Sequence, residues 1–176
     1  MTDNKYYEER NEIVGEVPQG VEEVPIPEGD LHLRLVIPSG EEFALPAVGI
    51  REVIQQEVGK ITPIPNASHL LLGTINLRGE IIWVADLGQF LGYSQMLNTD
   101  RGEIPVVAIE EQEITIGLAV EGLGGLAWID PGQVFLSGNI PDHVMPFVTG
   151  QWQDENGKRI LILDPAAMIH SARWAA

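Results

Sequence analysis

The side chains that could do metal or nucleophilic chemistry are scattered along this sequence. No two histidines have the i, i+3 or i, i+4 spacing that places two imidazoles on one helix face, since they stand at His32, His69, His143 and His170. The chain has no cysteine, which excludes thiol catalysis, disulfides and cysteine-ligated metals. No serine lies in a Gly-x-Ser-x-Gly turn, and a phosphate-binding Gly-x-x-x-x-Gly-Lys loop is missing. These residue types favour neither a catalytic nor a metal site.

Two sequence patterns resemble functional sites, one catalytic and one dinucleotide-binding, but each lacks a feature that such a site requires. Neighbouring carboxylates at Glu41-Glu42 and Glu110-Glu111 fall in predicted turns, where water keeps both ionised, whereas acid–base catalysis needs one of them desolvated. Residues 122–127 match Gly-x-Gly-x-x-Ala, but a dinucleotide site needs a long helix to follow. Here Trp-Ile-Asp-Pro-Gly follows at 128–132, so we predict a glycine-rich bend between two strands.

The length, hydrophobic content and net charge of the chain limit its domain size, its partners and its location. The chain has 176 residues, of which 44% are hydrophobic, enough for one domain with its own core. It has 10 basic and 26 acidic residues and a net charge of −16, which repels nucleic acid and anionic lipid surfaces. No apolar run approaches the ~18 residues of a membrane span, and the N-terminus lacks a secretory signal. We therefore expect a cytoplasmic protein without nucleic-acid partners or direct membrane insertion.

The first 30 residues differ from the rest of the chain. Acidic side chains there far outnumber Lys5 and Arg10, and Pro18, Pro25 and Pro27 interrupt any helix. We predict that residues 1–30 form an acidic, disordered leader.

From residue 31 onwards, short apolar runs separated by turn residues predict about ten strands. Residues 47–56 fit either a short helix or a bent strand, and 65–73 predict one helical turn. Asp86 is a candidate N-cap for a brief helix to Leu91, as is Asp164 for a terminal helix to about Arg173. This pattern is typical of all-β barrels or sandwiches. The predicted strands are 31–37, 42–45, 61–64, 74–77, 80–85, 104–109, 114–120, 127–129, 133–136, 145–153 and 159–163.

The most distinctive segment is the predicted hairpin around Arg78-Gly79. Gly79 can supply the positive φ that a two-residue turn needs, and Asn76 either bonds the turn backbone or faces solvent. A guanidinium at the tip can bind carboxylates or carbonyls of a partner in a bidentate manner. By itself, a single arginine in a turn is better explained as a solubilising residue than as a partner-binding one.

In its wider context this segment resembles the CheW family of chemotaxis coupling proteins. Family members carry Pro-Asn, then Gly-Val-x-Asn-Leu-Arg-Gly-x-Ile-x-Pro-Val-x-Asp-Leu. Residues 64–66 read Ile-Pro-Asn, 72–82 read Leu-Gly-Thr-Ile-Asn-Leu-Arg-Gly-Glu-Ile-Ile, and 86–87 read Asp-Leu. The likeness extends over about 31–169.

The resemblance implies a domain at 31–173 made of two five-stranded SH3-like β-barrels that share a hydrophobic core, with a few short helices and a C-terminal helix. It implies no catalysis, no cofactor and no metal. It also implies that the protein bridges the cytoplasmic tip of a chemoreceptor and the regulatory domain of a CheA-type histidine kinase, in receptor arrays at the inner membrane.

The resemblance also selects candidate partner-binding residues. Arg78 and Glu52 would lie at or near the receptor groove, since Glu52 takes the acidic position of a Val-x-Glu-Ile segment. Trp83 stands where the family usually has proline, so it would alter the adjoining surface. The full set predicted to bind partners is Ile50, Glu52, Asn76, Arg78, Gly79 and Trp83.

Two other interpretations remain open at this stage. A small acidic ligand-binding or hydrolase barrel would use scattered carboxylates and His143. A regulatory variant, or a piece of a larger kinase, would keep the family and change the role. The chain ends soon after the predicted terminal helix, without space for an ATP-binding domain, so we favour a standalone adaptor.

Overall fold

The computed structural model describes residue 20 and residues 25–136 and 138–175. The predicted acidic leader, 1–30, therefore lies mostly outside the described residues. In the described part, the strands are β1 (Asp30–Val36), β2 (Glu42–Pro46), β3 (Ile50–Glu57), β4 (Leu71–Leu77), β5 (Glu80–Asp86), β6 (Glu103–Glu111), β7 (Ile114–Ala119), β8 (Gly122–Ile129), β9 (Val148–Gln153) and β10 (Arg159–Leu163). The two α-helices there are α1 (Leu87–Phe90) and α2 (Pro165–Ile169).

The strands form two five-stranded sheets. One has the order β8-β1-β2-β10-β9 and the other the order β3-β6-β7-β5-β4. The pairs β2–β10 and β5–β7 are parallel, and the other pairs are antiparallel. Each sheet curls around its own buried cluster, giving barrel one and barrel two respectively. Barrel two is continuous in sequence and is inserted between β2 and β8 of barrel one. The predicted all-β fold of paired five-stranded barrels is confirmed.

A third cluster joins the two barrels. Leu35 of barrel one and Leu118 of barrel two are both fully buried in it, together with Phe90 of α1 and Met168 of α2. The alternation of apolar residues along β1 places one face of that strand in this cluster, as period-two patterning requires. The two barrels therefore share one hydrophobic core, as predicted.

The predicted N-caps are present on both helices. Asp86 accepts a hydrogen bond from the Gln89 backbone N–H at 3.2 Å, and Asp164 accepts one from Ala167 at 3.2 Å. Pro165 occupies the first turn of α2, where its missing N–H costs nothing.

The terminal helix is shorter than predicted. It ends at Ile169 instead of near Arg173, and a 3-10 turn follows at Ala172–Ala175. The Trp174 ring stacks on Phe90 at 4.2 Å, and its indole N–H donates to the Met168 carbonyl at 2.8 Å. These contacts draw the chain back onto the shared core, which a continued helix would not allow.

Several local predictions were wrong. The glycine-rich segment 122–126 is part of β8, whose irregular pairing opposite Arg34 and Leu35 accommodates the extra residue. The segments 61–64 and 133–136 form only the single bridges Thr62–Thr74 and Phe135–Gln151 instead of strands. The predicted helical turn at 65–73 is absent from the described residues, and β4 begins within it. Residues Met145–Phe147 form a 3-10 turn, since Pro146 cannot donate to a ladder.

The structure also decides the ambiguous segment 47–56. A 3-10 turn at Ala47–Gly49 leads into β3, which pairs with β6. The pairing shifts register between Ile50 and Glu52, so the bent-strand alternative is correct.

Candidate interaction site

The β4–β5 hairpin presents Arg78 and Gly79 at its tip. Leu77 and Glu80 pair across the turn, and both central residues have positive φ, 50° for Arg78 and 88° for Gly79. This is the geometry of a type I′ turn, whose twist matches that of the flanking strands. Asn76 accepts a hydrogen bond from the Gly79 backbone N–H at 2.8 Å, so it holds the turn. The prediction had given the positive φ to Gly79 alone.

Arg78 binds Glu52 through two hydrogen bonds. Its Nε donates to Glu52 Oε2 at 2.9 Å and its Nη2 to Oε1 at 2.8 Å, the bidentate form of the pair. The Arg78 side chain is 73% exposed and that of Glu52 is 22% exposed. The hydrogen bond from Arg78 is the main reason why the pKa of Glu52 lies below its ordinary value. Glu52 lies on β3, one edge strand of the sheet, and Arg78 follows directly after β4, the other edge strand, so the pair connects the two edges.

A second cluster of charges lies around Arg51, the neighbour of Glu52. Arg51 Nη1 donates to Glu80 Oε2 at 2.7 Å and to Thr115 Oγ1 at 3.1 Å, while its Nε is 3.6 Å from Glu110 Oε2. These bonds connect β3, β5, β6 and β7 at one end of barrel two. The candidate set did not include Arg51, Glu80 or Glu110, because their spacing in the sequence does not signal their contact.

The remaining predicted residues lie on the same strands. Ile50, at the start of β3, is half-buried and packs against the shared core. Trp83, in β5, pairs with Thr74 and Ile116 and keeps 40% of its surface exposed. The structure thus brings Glu52, Asn76, Arg78 and Gly79 together at one turn, with Ile50 and Trp83 on the adjoining strands.

Two apolar depressions lie on the barrels. The first, here called the Trp83 groove, has a volume of about 810 Å³ and is lined by residues including His69, Trp83, Ile114, Ile116, Ile169 and Trp174. The second, of about 730 Å³, lies at one end of barrel one and is lined by residues including Leu31, Val48, Ile129 and Leu136. Exposed apolar surface of this kind is typical of protein-binding faces.

The structure gives the histidines and acids no shared centre in the described part of the chain. Within it, no group of three or more His, Asp or Glu side chains is placed to hold a metal ion. The His143 ring meets Tyr93 edge-on at 5.1 Å, and its backbone carbonyl accepts a hydrogen bond from Arg173 at 2.8 Å. None of the helices in the described residues has the length and apolar character to cross a membrane.

The paired barrels and the ion-paired hairpin define a double-barrel β domain with apolar surface suited to protein contacts. Residues 35–173 match the model of the CheW family, described as the CheW-like domain, and the chain belongs to that family.

Named relatives agree with this assignment. A chemotaxis protein CheW from Thermotoga maritima is 31% identical over 86 residues, which cover 49% of this chain and 54% of that protein. The chain therefore matches about half the length of that relative. The crystal structure of the scaffolding protein TtCheW from Thermoanaerobacter tengcongensis is 23% identical, with a TM-score of 0.70, and the match covers 82% of this chain and 95% of that one. The latter likeness concerns the fold.

Proposed function

We propose that this protein is a non-catalytic chemotaxis adaptor that couples the cytoplasmic tip of a chemoreceptor to a CheA-type histidine kinase, within cytoplasmic receptor arrays. Its membership of the CheW family supports the proposal. The observation that carries it is the Arg78–Glu52 pair, in which two hydrogen bonds hold an exposed guanidinium at the tip of a turn.

In this proposal Arg78 contacts the receptor. The type I′ turn and Glu52 fix the guanidinium before the partner arrives, so little side-chain freedom is lost on binding. The bonds to Glu52 use Nε and Nη2, which leaves the Nη1 hydrogens for a carboxylate or carbonyl of the receptor. Glu52 is then a positioning residue that acts through Arg78.

The kinase would bind apolar surface at the barrel ends. There, most of the binding free energy comes from burying side chains such as Val48 and Leu136, which are exposed in the described structure. Charged groups at the rim would set orientation and association rate more than affinity.

The test is co-sedimentation with receptor-containing membranes and purified kinase. We expect Arg78→Ala and Arg78→Glu to weaken receptor binding about tenfold or more, which corresponds to about 1.4 kcal/mol. Arg78→Glu combined with Glu52→Arg should bind the receptor as weakly as Arg78→Glu, because the exchanged pair restores the internal ion pair but leaves a carboxylate where the receptor meets the guanidinium. Lys60→Ala is the matched control, since it removes an exposed cation of barrel two that pairs with Glu57 at 2.9 Å.

Folding must be separated from binding in this test. Arg78 has a left-handed backbone that alanine tolerates poorly, so Arg78→Gly is the variant that removes the side chain without conformational cost. Arg78→Gly should also lose receptor binding while its thermal midpoint stays at or above that of Arg78→Ala. Unchanged receptor binding by Arg78→Gly would refute the role of the guanidinium.

A further inference from the structure

The edge strand β3 contains a β-bulge at Arg51. In the pairing of β3 with β6, Ile50 lies opposite Ile109 and Glu52 lies opposite Ala108, so Arg51 is the extra residue. In a regular strand, successive side chains point to opposite faces of the sheet. Here the neighbours Arg51 and Glu52 both contact the β4–β5 hairpin. The bulge therefore directs two adjacent, opposite charges of β3 at one hairpin.

These two side chains form two ion pairs of opposite sense with the hairpin. Arg51 donates to Glu80 Oε2 at 2.7 Å. Glu52 accepts the two hydrogen bonds from Arg78, at 2.8 and 2.9 Å. Only Gly79, the second residue of the turn, separates Arg78 from Glu80 in the chain, so the two ion pairs are neighbours. Each of the four charges thus has an oppositely charged partner across the gap between β3 and the hairpin.

The Arg51–Glu80 pair determines which carboxylate is available to Arg78. The Glu80 side chain is 49% exposed and belongs to the same hairpin tip, so without Arg51 it would be a second acceptor beside the guanidinium of Arg78. Glu110, 3.6 Å from Arg51, would remain bonded to the Thr115 hydroxyl at 3.3 Å. The guanidinium would then divide its hydrogen bonds between two carboxylates, and the bidentate contact would be lost for part of the time.

Arg51 also acts on Glu52 through its charge. The hydrogen bond from Arg78 is the largest cause of the lowered pKa of Glu52, and the positive charge of Arg51 lowers that pKa further. This charge favours the ionised form of Glu52, which accepts both hydrogen bonds from the guanidinium. The two effects of Arg51 act in the same direction, since both keep Arg78 on Glu52.

We propose that Arg51 is a second positioning residue for Arg78: by engaging Glu80, it leaves Glu52 as the single carboxylate that holds the guanidinium. The effect on receptor binding rests on the proposed function, whereas the orientation of Arg78 can be measured without any partner. Because exposed ion pairs contribute little to stability, variants at these positions should stay folded, and their thermal midpoints check this.

The orientation of Arg78 is measured by NMR of the arginine side chains in the full chain, with the receptor absent. The Nε–H of Arg78 donates to Glu52 at 2.9 Å, which slows its exchange with water. Arg51→Met should accelerate this exchange several-fold, and Arg51→Lys, which keeps the positive charge, should retain most of the protection. Lys60→Met is the matched control, because it removes an exposed cation of the same barrel. Equal acceleration in Lys60→Met would show a general effect of charge and overturn the proposal.

Variants of Glu80 separate positioning from a purely structural role. Glu80→Gln removes the competing charge, so the exchange at Arg78 should stay at the parent rate, although the bond from Arg51 is weakened. Arg51→Met combined with Glu80→Gln should return to the parent rate for the same reason. If the bond from Arg51 only braced the hairpin, Glu80→Gln would accelerate exchange as much as Arg51→Met does. That result, or unchanged exchange in Arg51→Met, would overturn the proposal.

Receptor binding is measured by the same co-sedimentation as for the Arg78 variants. Arg51→Met should weaken binding several-fold, and its combination with Glu80→Gln should recover the loss. A loss that persists in the combined variant would mean that Arg51 meets the receptor directly, which contradicts a positioning role. If Arg78→Gly binds the receptor normally, the proposed receptor contact fails, and the exchange rates still decide whether Arg51 positions Arg78.

Discussion

Arg78 has a backbone conformation that arginine rarely adopts. Its φ of 50° lies in the left-handed region, where type I′ turns usually have asparagine or glycine. The turn is already held by Gly79 and by the hydrogen bond to Asn76, so its backbone does not depend on arginine. What the guanidinium adds is the bidentate contact with Glu52. An unfavourable backbone at an exposed tip, combined with a charged group held in place, supports the proposed binding role of Arg78.

Asp86 is a buried carboxylate, and the groups that contact it in the described part of the chain include no cation. Its Oδ1 accepts from the Gln89 N–H at 3.2 Å and its Oδ2 from the Leu97 N–H at 2.8 Å. Burial, the largest influence, raises the pKa of Asp86 against the opposing effect of these hydrogen bonds. Both oxygens are needed as acceptors, so the carboxylate joins α1 to the segment at Leu97.

We predict that Asp86→Asn destabilises the protein by about 1–3 kcal/mol at neutral pH, although it removes a buried charge. The amide has only one acceptor oxygen, and its NH₂ group would then face a backbone N–H. Asp164→Asn is the control, because the structure gives Asp164 one capping bond, to Ala167, which an amide oxygen can accept. Urea unfolding at pH 7 measures both variants. Equal or greater stability of Asp86→Asn would mean that desolvation of the charge outweighs the lost acceptor.

At the scale of elements, a network of charges joins the strands at one side of barrel one. Arg34 of β1 bonds to Glu42 of β2 and, at 3.0 Å, to Asp154 beyond β9. Lys158 donates to Glu42 at 2.7 Å. Burial raises the pKa of Glu42, but the hydrogen bonds from Arg34 and Lys158 outweigh it, and the net shift is downward. The network therefore favours the ionised carboxylate in the folded state.

This downward shift predicts a loss of stability in acid. The folded protein holds the Glu42 proton less tightly than the unfolded chain, whose pKa is near 4.5. The contribution of Glu42 is thus complete above about pH 5 and is lost as the pH falls through the lower, folded value. The free energy of unfolding of the parent protein should fall more steeply below pH 4.5 than that of Glu42→Gln. Urea titrations at several pH values measure the slopes, with Glu57→Gln as a control at an exposed pair. Parallel slopes for parent and Glu42→Gln would contradict the prediction.

The β6–β7 turn has residues that do not suit its backbone. Gln112 and Glu113 have φ values of 48° and 66°, the left-handed region in which side chains cost about 1 kcal/mol. Type I′ turns favour asparagine followed by glycine at these positions. We expect Glu113→Gly to raise the free energy of unfolding by up to about 1 kcal/mol, measured by chemical denaturation. Glu103→Gly, within β6, should lower it, and a loss of stability in Glu113→Gly would show that the side chain has a structural role.

Elements with local signals were predictable from the sequence, whereas those shaped by distant contacts were not. The turn at Arg78-Gly79 and the caps at Asp86 and Asp164 are encoded within a few residues. The end of α2 depends on the contact of Trp174 with Phe90, which are 84 positions apart in the numbering. Likewise, the glycine-rich segment of β8 is a strand because β1 pairs with it, and no local pattern indicates that partner.

The same distinction applies to the candidate site. Arg78 was selected as a candidate from its turn, and Glu52 only from the family resemblance. Arg51, Glu80 and Glu110 escaped prediction because barrel two brings together strands that are far apart in the chain. Ion-pair partners across a sheet have no fixed sequence spacing, unlike partners on a helix.

At the scale of the whole molecule, the shared core couples the two barrels. The central cluster draws side chains from β1 and β2 of barrel one, from β6 and β7 of barrel two and from both helices. The chain also crosses between the barrels twice, after β2 and before β8, since barrel two is inserted into barrel one. Neither barrel can open without exposing part of the surface that the other buries. We therefore expect the described domain to unfold as one cooperative unit.

Leu118→Ala tests this coupling, because Leu118 is fully buried in the central cluster on β7. Truncating a buried leucine costs about 2–5 kcal/mol through lost burial and the cavity left behind. Although Leu118 belongs to barrel two, hydrogen exchange in moderate urea should accelerate by a similar factor in the core strands β2 and β10 of barrel one and in β6 of barrel two. Leu126→Ala, at an exposed site on β8, should leave both barrels unchanged. Acceleration confined to barrel two would show that the barrels open independently, and the shared cluster would then be a contact between two separately stable halves.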